Sequence, residues 1–347
     1  MRPLLFLAAT VMVAVAAHAQ TPAPPAGPVP TGLVVGSGNF FSPIVSDLDK
    51  AVAFYRDGLG LDVQGPPANA DANPALRNMF GLPDAQLRWS IGRPPAMRTG
   101  VEIVEIKKAE GKPVERRVQD SGAFTQIVFV RDLDSTLTRL KQLGAPVVTR
   151  GGAPVTVPMG AQKARAVVVK DPDGHFVELL QPDQVGDTQA PATANVTGVR
   201  VRLTVNDVDQ AMRLYRDVLG MKGQPVAAFR DDKAVMDMLG LSSGQYRIGM
   251  LEVPTTGLGI DLIDFKGVDR RVVRGDIQDP GSTRMQIQVR DVEAAIAALK
   301  QAGGTVVSTG GAMVELPGRG GATTKVAIVR DPDNLFMVLL QAAAPRN

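Results

Sequence analysis

The sequence of 347 residues contains no cysteine and only two histidines, His18 and His175. The absence of cysteine excludes disulfide bonds, a thiolate nucleophile and cysteine metal ligands. His18 lies in a predicted leader and His175 in a predicted turn, so the chain offers no Ser-His-Asp catalytic set. The fold must therefore be held together by its hydrophobic cores alone.

Neither sign of charge dominates, because the sequence has 38 Lys and Arg and 35 Asp and Glu, which gives a net charge of +3. The sequence lacks a basic run with interleaved aromatic residues, a pattern typical of nucleic-acid-binding segments. We therefore expect no nucleic-acid partner. The length predicts about two domains, and a hydrophobic content of 44% is that of a globular chain.

The first 19 residues are predicted to be a secretory signal peptide. Arg2 supplies the positive start, Leu4 to Ala17 form an apolar run, and Ala17-His18-Ala19 is a small-x-small cleavage site. The apolar run is short for a bilayer-spanning helix, and the alternative is an uncleaved membrane anchor. We predict a bacterial protein in the periplasm or outside the cell, with no stable membrane insertion after cleavage.

The rest of the chain is organised around a stretch that occurs twice. Residues Val45–Gly60 reappear as Val205–Gly220, at an offset of 160 residues. The motif Asp171-Pro172-Asp173 returns at the same offset as Asp331-Pro332-Asp333. A nearly constant offset over most of the chain predicts a duplicated domain.

The duplication sets the predicted domain boundaries. A Pro- and Ala-rich linker at residues 20–35 precedes the first domain at 36–186. A polar linker at 187–196 separates it from the second domain at 197–342. Within each domain, the alternation of short strands and apolar helical stripes predicts two βαβββ units.

An aspartate marks the predicted start of the main helix in each unit. These residues are Asp47, Asp132, Asp207 and Asp291. Each follows a predicted strand, where its carboxylate can accept the free N–H groups of the first helical turn.

The order of these signatures resembles the vicinal oxygen chelate superfamily of glyoxalases, bleomycin-resistance proteins and extradiol dioxygenases. The first unit of each domain carries V-x-D-h-x-x-A-x-x-x-Y-x-x-x-L-G, and D-P-D-G/N lies near the end of each domain. The resemblance covers nearly all of both domains. It implies an α+β fold with two tandem domains, each a pair of βαβββ modules that form a half-open β cup with the helices outside. Such a cup would hold a small molecule.

Catalytically active members of this superfamily usually bind a divalent metal. The ligands, often His and Glu, come from the first and last strands of each module. The positions carried over to this sequence are Phe40, Glu102, Thr125 and Glu178 in the first domain and Arg200, Asp261, Arg284 and Val338 in the second. None of these positions holds a histidine. We therefore expect no metal cofactor. The alternative is that Glu102 and Glu178 together hold Mg, Mn, Zn or Fe in the first domain.

Arginines take the place of ligands in the second domain. Strand alternation directs Arg200 and Arg202 into a cup, and likewise Arg284 and Gln286. The predicted ligand-binding residues are Arg200, Arg202, Arg284, Gln286, Asp261 and Trp89. The guanidinium groups would clamp a carboxylate or phosphate; the alternatives are a solvated polar face or Arg–Asp pairing across strands. Trp89, the single tryptophan, would stack on a ligand or fill core.

These features favour an exported tandem protein that binds a small, anionic molecule in its cups without histidine metal ligands. One alternative is a metal-dependent lyase, isomerase or dioxygenase that uses the carboxylates of the first domain. Another is an interaction module with vestigial cups. The expected partner is a small molecule, and the expected state is a monomer with intrachain domain pairing or a homodimer.

Overall fold

The computed structural model describes residues 32–69, 74–317 and 323–341. The predicted signal peptide and residues 20–31 of the first predicted linker lie outside these ranges. The described residues form four βαβββ modules, preceded by strand β1 (Val34–Ser37). None of their helices is both long enough and apolar enough to cross a membrane.

The first predicted domain contains modules 1 and 2. Module 1 consists of β2 (Ser42–Val45), α1 (Leu48–Ala53), β3 (Asp62–Asn69), α2 (Pro74–Phe80), β4 (Gln86–Arg93) and β5 (Val101–Lys107). Module 2 consists of β6 (Phe124–Val130), α3 (Leu133–Gln142), β7 (Val155–Met159), β8 (Gln162–Lys170) and β9 (Phe176–Pro182).

The second predicted domain contains modules 3 and 4. Module 3 consists of β10 (Val196–Thr204), α4 (Val208–Met212), β11 (Lys222–Gly223), α5 (Lys233–Met238), β12 (Gln245–Glu252) and β13 (Gly259–Lys266). Module 4 consists of β14 (Thr283–Val289), α6 (Val292–Gln301), β15 (Thr305–Val306), β16 (Val314–Pro317), β17 (Thr323–Arg330) and β18 (Phe336–Gln341).

The four aspartates predicted to cap helices do so. The Asp47 carboxylate accepts hydrogen bonds from the backbone N–H groups of Asp49 and Lys50, both at 3.1 Å. The carboxylates of Asp132, Asp207 and Asp291 accept from backbone N–H groups in the first turn of α3, α4 and α6. Because each cap satisfies donors left free by the helix start, it fixes where the helix leaves the preceding strand.

The strands form two sheets that each combine modules from different halves of the chain. The first sheet runs β15-β17-β18-β14-β2-β5-β4-β3 and joins module 4 to module 1. The second runs β11-β12-β13-β10-β6-β9-β8-β7 and joins module 3 to module 2. We call the cup of modules 1 and 4 the terminal cup and that of modules 2 and 3 the central cup.

The α+β class and the tandem βαβββ organisation are confirmed, but the pairing of modules differs from the prediction. Modules 1 and 2 do not share a cup, and neither do modules 3 and 4. The first strand of every module presents an edge that needs a partner, and modules 1 and 3 carry the same signature. The repeat pattern therefore leaves open which of them pairs with module 2. The domains pair within one chain, as the monomer alternative requires; the oligomeric state stays a prediction.

A large hydrophobic core lies between the two sheets and contains the main helices of all four modules. It includes Leu48 of α1, Leu137 of α3, Val208 of α4 and Leu299 of α6. One face of β14 contributes Met285, Ile287 and Val289 to this core, as alternation predicts. The opposite faces of the strands therefore line the cups.

One side chain in this core, that of Gln126, is polar. Gln126 on β6 lies beside Val201 and Val177, which belong to the core, and is fully buried. Neither Oε1 nor Nε2 of its amide has a hydrogen-bond partner among the described residues. An unpartnered buried polar group costs free energy of folding. The corresponding position in the second half of the chain holds Met285.

We therefore expect Gln126→Met to raise the free energy of unfolding by about 1–3 kcal/mol. Equilibrium unfolding in urea measures the change. The reverse substitution at the duplicated position, Met285→Gln, serves as the matched control and should lower stability by a similar amount. Equal stability of Gln126→Met and the wild type would contradict this account of the core.

Candidate functional site in the terminal cup

Strand register brings an arginine of module 4 next to a glutamate of module 1. β14 runs antiparallel to β2 with Arg284 opposite Ser42, and β5 follows on the far side of β2. The Arg284 side chain reaches across β2, so that its Nη2 lies 2.5 Å from Oε2 of Glu102 on β5. The predicted ligand positions Glu102 and Arg284 thus form an ion pair across the terminal cup.

Gln286 completes this polar group from the same face of β14. Its Nε2 donates to Glu102 Oε2 at 3.0 Å, and its Oε1 accepts from the backbone N–H of Asn39 at 3.0 Å. The orientation of the Gln286 amide is therefore fixed from both ends. With Arg284 it holds the Glu102 carboxylate in a single position.

Arg284 is buried with part of its donor capacity unused. Its side chain is 2% exposed, and its guanidinium carbon lies 4.7 Å from the ring centroid of Phe80. Neither Nε nor Nη1 has a hydrogen-bond partner among the described residues. Burial lowers the pKa of Arg284, while the Glu102 charge opposes that shift; a guanidinium nevertheless stays protonated in a protein. A buried cation with two unpartnered nitrogens, which carry three N–H bonds, is the kind of site that a ligand oxygen can complete.

These side chains open onto a cavity of about 160 Å³. Its wall is largely apolar, with Glu102, Arg284 and Gln286 as the polar members. The remaining lining residues are Leu76, Met79, Phe80, Leu87, Trp89, Val104, Leu316, Val338 and Leu340. A mostly apolar cavity with a few convergent polar groups is typical of a small-molecule site.

The central cup is built from the same positions but is filled. Arg202 of β10 lies opposite Thr125 of β6 and is paired with Glu178 of β9, Nη1 to Oε2 at 2.5 Å. Arg200 is paired with Asp261 of β13, also at 2.5 Å. Burial by itself lowers the pKa of Arg202, but the charges of Glu178 and Asp261 raise it overall.

Helix α5 and a second hydrophobic cluster close the central cup. Val235, Met236 and Met238 of α5 pack with Ile127 of β6 and Val168 of β8. Both arginines of this cup are thus paired with carboxylates among the described residues, with Arg202 nearly buried and Arg200 32% exposed. This arrangement favours a structural role for the central cup.

The structure separates residues that the sequence prediction grouped together. Glu102 and Glu178, proposed to share a metal, lie in different sheets and in different cups. Arg200 and Arg202 lie in the central cup and Arg284 in the terminal cup, so they form no common clamp. Both separations follow from the exchange of module partners.

Other predicted site residues are placed as follows. Trp89 is half-buried and lines the cavity with Arg284. Phe40 does not face a cup, because it precedes the regular part of β2 and is buried in the core between the sheets. The pairing of Arg200 with Asp261 matches the alternative of Arg–Asp pairing across strands.

The carried-over positions do not fit a divalent metal. In the terminal cup they are Phe40, Glu102, Arg284 and Val338, which supply a single carboxylate already bound by a guanidinium. In the central cup both carboxylates are paired with arginines, which would repel a cation. No group of three or more His, Asp or Glu suited to a metal ion occurs among the described residues. A catalytic site needs about three or four such ligands around an open position.

Comparison with known proteins identifies the family. The model of the Glyoxalase/Bleomycin resistance protein/Dioxygenase superfamily matches residues 39–179 and again 198–338. The chain belongs to this superfamily. A lactoylglutathione lyase-like protein of Aspergillus terreus is 31% identical over 145 residues, which are 39% of this chain and 70% of that protein.

Solved structures of other proteins share the fold. Glyoxalase I of Zea mays aligns with a TM-score of 0.56 and 20% identity, over 87% of this chain and 92% of that chain. A putative dioxygenase of Bacillus subtilis aligns with a TM-score of 0.53 and 13% identity, over 90% of this chain and 87% of that chain. Both proteins therefore share their fold with this chain over most of its length.

Sequence reasoning missed the contribution of α2 to the site. Leu76, Met79 and Phe80 of this helix line the cavity, and Phe80 stacks beneath the Arg284 guanidinium. This helix has only seven residues, too few for a periodic pattern to show which face is covered. The cue was the pair of large apolar residues, Met79-Phe80, at its end.

Proposed function

We propose that the protein binds a small, largely apolar molecule in the terminal cup without using a metal. The observation that carries this proposal is the cavity of about 160 Å³ lined by Arg284, whose Nε and Nη1 have no partner among the described residues. An engineered apolar cavity of about 150 Å³ in another protein holds benzene. The ligand is therefore about the size of one substituted ring.

Trp89 makes the proposal directly measurable. It is the single tryptophan of the chain and lines the cavity. Binding of a ring-sized molecule next to it changes its environment and hence its fluorescence. We propose a set of one-ring probes for this titration: toluene, phenol, benzamide and benzoate.

Filling the cavity should abolish this binding. Val338 lies on the cavity wall next to Gln286 in the strand register and is 2% exposed. We expect Val338→Phe to weaken every probe that binds the wild type by at least about tenfold, since the larger side chain takes the space of the ring. Trp89 fluorescence titration gives the affinities, and thermal unfolding verifies that the variant is folded.

Ile248 offers a matched control, because it is a partly buried residue of the other cup. Ile248→Phe should leave the affinities unchanged. The proposal fails if no probe changes Trp89 fluorescence, or if Val338→Phe binds the probes as tightly as the wild type does.

We also propose, from residues 1–19 alone, that the protein acts in the periplasm or outside the cell. Fractionation of bacteria that express the full chain, with the N-terminus of the recovered protein determined, tests this. A start at Gln20 in the periplasmic fraction is the expected result. Full-length protein in the cytoplasm would contradict it.

A further inference from the structure

The polar corner of the terminal cup presents an acceptor as well as donors. Within the described residues the Glu102 carboxylate accepts two hydrogen bonds, both at Oε2. The donors are Arg284 Nη2 and Gln286 Nε2. The other carboxylate oxygen, Oε1, accepts none from these residues. The Glu102 side chain is 17% exposed and lines the cavity. A ligand in the cavity thus meets a carboxylate oxygen without a partner among the described residues, beside the guanidinium of Arg284, whose Nε and Nη1 are buried and likewise unpartnered there.

The charges in this corner already cancel. Arg284 and Glu102 are the charged residues on the described wall of the cavity, and they form one ion pair. The rest of the wall is largely apolar, so a further charge brought into the cavity would be poorly solvated and lack a counter-ion. An anionic ligand would have to compete with Glu102 for the guanidinium.

We propose that the terminal cup selects a neutral ring compound with a hydrogen-bond acceptor next to a donor, such as a primary amide, a lactam or a hydroxy-carbonyl compound. The acceptor takes the free N–H groups of Arg284, and the donor reaches Oε1 of Glu102. This inference rests on the proposed function and names its ligand class. It departs from the anionic ligand expected from the sequence, because the sequence did not show that Glu102 neutralises Arg284.

Benzamide and benzoate are a matched pair of probes for this inference. They have nearly the same shape, but benzamide is neutral and offers both a donor and an acceptor, whereas benzoate is an anion with acceptors only. Near neutral pH we expect the wild type to bind benzamide at least about tenfold more tightly than benzoate, as the loss of a hydrogen bond to a charged group implies. Trp89 fluorescence and calorimetric titration measure both affinities.

Removing the charge of Glu102 should reverse the preference. Glu102→Gln keeps an amide oxygen that can accept from Arg284 Nη2, so the side chain stays in place while the guanidinium loses its counter-ion. We expect benzoate to bind this variant at least about tenfold more tightly than it binds the wild type, and benzamide to bind it more weakly. Arg284→Met should weaken benzamide and benzoate by a larger factor than it weakens toluene, which makes no hydrogen bond. Thermal unfolding verifies that both variants are folded.

The outcomes separate this inference from the proposed function. Benzoate binding to the wild type as tightly as benzamide overturns the inference of a neutral ligand but leaves the cavity as a binding site. An unchanged preference in Glu102→Gln overturns it as well. Absence of a response to every probe, including toluene, overturns the proposed function itself.

Discussion

Replacing Glu178 by Leu is expected to lower the free energy of unfolding by about 3–5 kcal/mol. Glu178 and Arg202 are 0% and 7% exposed and form the ion pair of the central cup. Without the carboxylate, the Arg202 guanidinium keeps its charge in a nearly dry site. Its remaining neighbour of opposite charge, Asp261, is already paired with Arg200.

The double variant Glu178→Leu with Arg202→Met should recover most of this loss. Replacing both members of a buried pair by apolar side chains removes the uncompensated charge and is often neutral or stabilising. Urea unfolding of the two single variants and the double variant yields the coupling energy. The exposed pair of Arg165 and Asp134 is the control, and Asp134→Ala there should cost less than about 1 kcal/mol. Additive single losses in the central cup would show that the pair does not act as a unit.

A second large effect concerns the pH dependence of stability. Burial, together with the nearby charge of Asp333, raises the pKa of Asp331 from 3.8 to about 7. Its carboxyl accepts hydrogen bonds from the backbone of Asp333 and Leu335 and from the Tyr215 hydroxyl at 2.7 Å. The equivalent carboxyl in the first half, Asp171, additionally contacts His175 Nδ1 at 2.9 Å. Leu335 occupies the histidine position in the second half, so Asp331 lacks the imidazole partner that Asp171 has.

The sign of the effect follows from the raised pKa. The folded state holds the proton of Asp331 more tightly than the unfolded state does, so the contribution is fully present below about pH 4 and is lost as pH rises through about 7. A difference of about three pKa units corresponds to about 4 kcal/mol. We therefore expect wild-type stability, relative to Asp331→Asn, to fall over this range and to level off above it.

Asp331→Asn is the informative variant because its amide can donate to the Tyr215 oxygen, as a protonated carboxyl would. Urea unfolding of the wild type and this variant between pH 4 and pH 8 gives the difference curve. Asp183→Asn, at an exposed position, controls for general changes in net charge. A flat difference between the wild type and Asp331→Asn would mean that Asp331 is ionised in the folded protein throughout this range.

The local structure of this chain could be predicted from its sequence because local interactions determine it. The four capping aspartates fix the helix starts, and alternation along β14 correctly divided Arg284 and Gln286 from Met285 and Ile287. These patterns depend on residues close together in the chain. The superfamily resemblance, which rests on the same patterns, is confirmed.

The composition of the site could not be predicted in the same way. Arg284 and Glu102 are separated by 182 residues and meet because β14 pairs with β2. Module 3 would present a similar first strand to module 4, and the repeat pattern does not distinguish the two pairings. The sequence therefore grouped carboxylates by predicted domain, whereas the fold groups each one with an arginine from another module.

The exchange of module partners also has a consequence for synthesis on the ribosome. The central cup joins modules 2 and 3, which are consecutive along the chain, whereas the terminal cup joins module 1 to module 4 and must wait for β14 to β18. Domains generally fold as units while the chain grows from its N-terminus. Module 1 is thus synthesised first, but its cup is complete only after module 4 has been made. Until then the apolar cup face of module 1 has no partner strand from module 4. A chain that terminates early would contain Glu102 and Trp89 but would have no binding cavity.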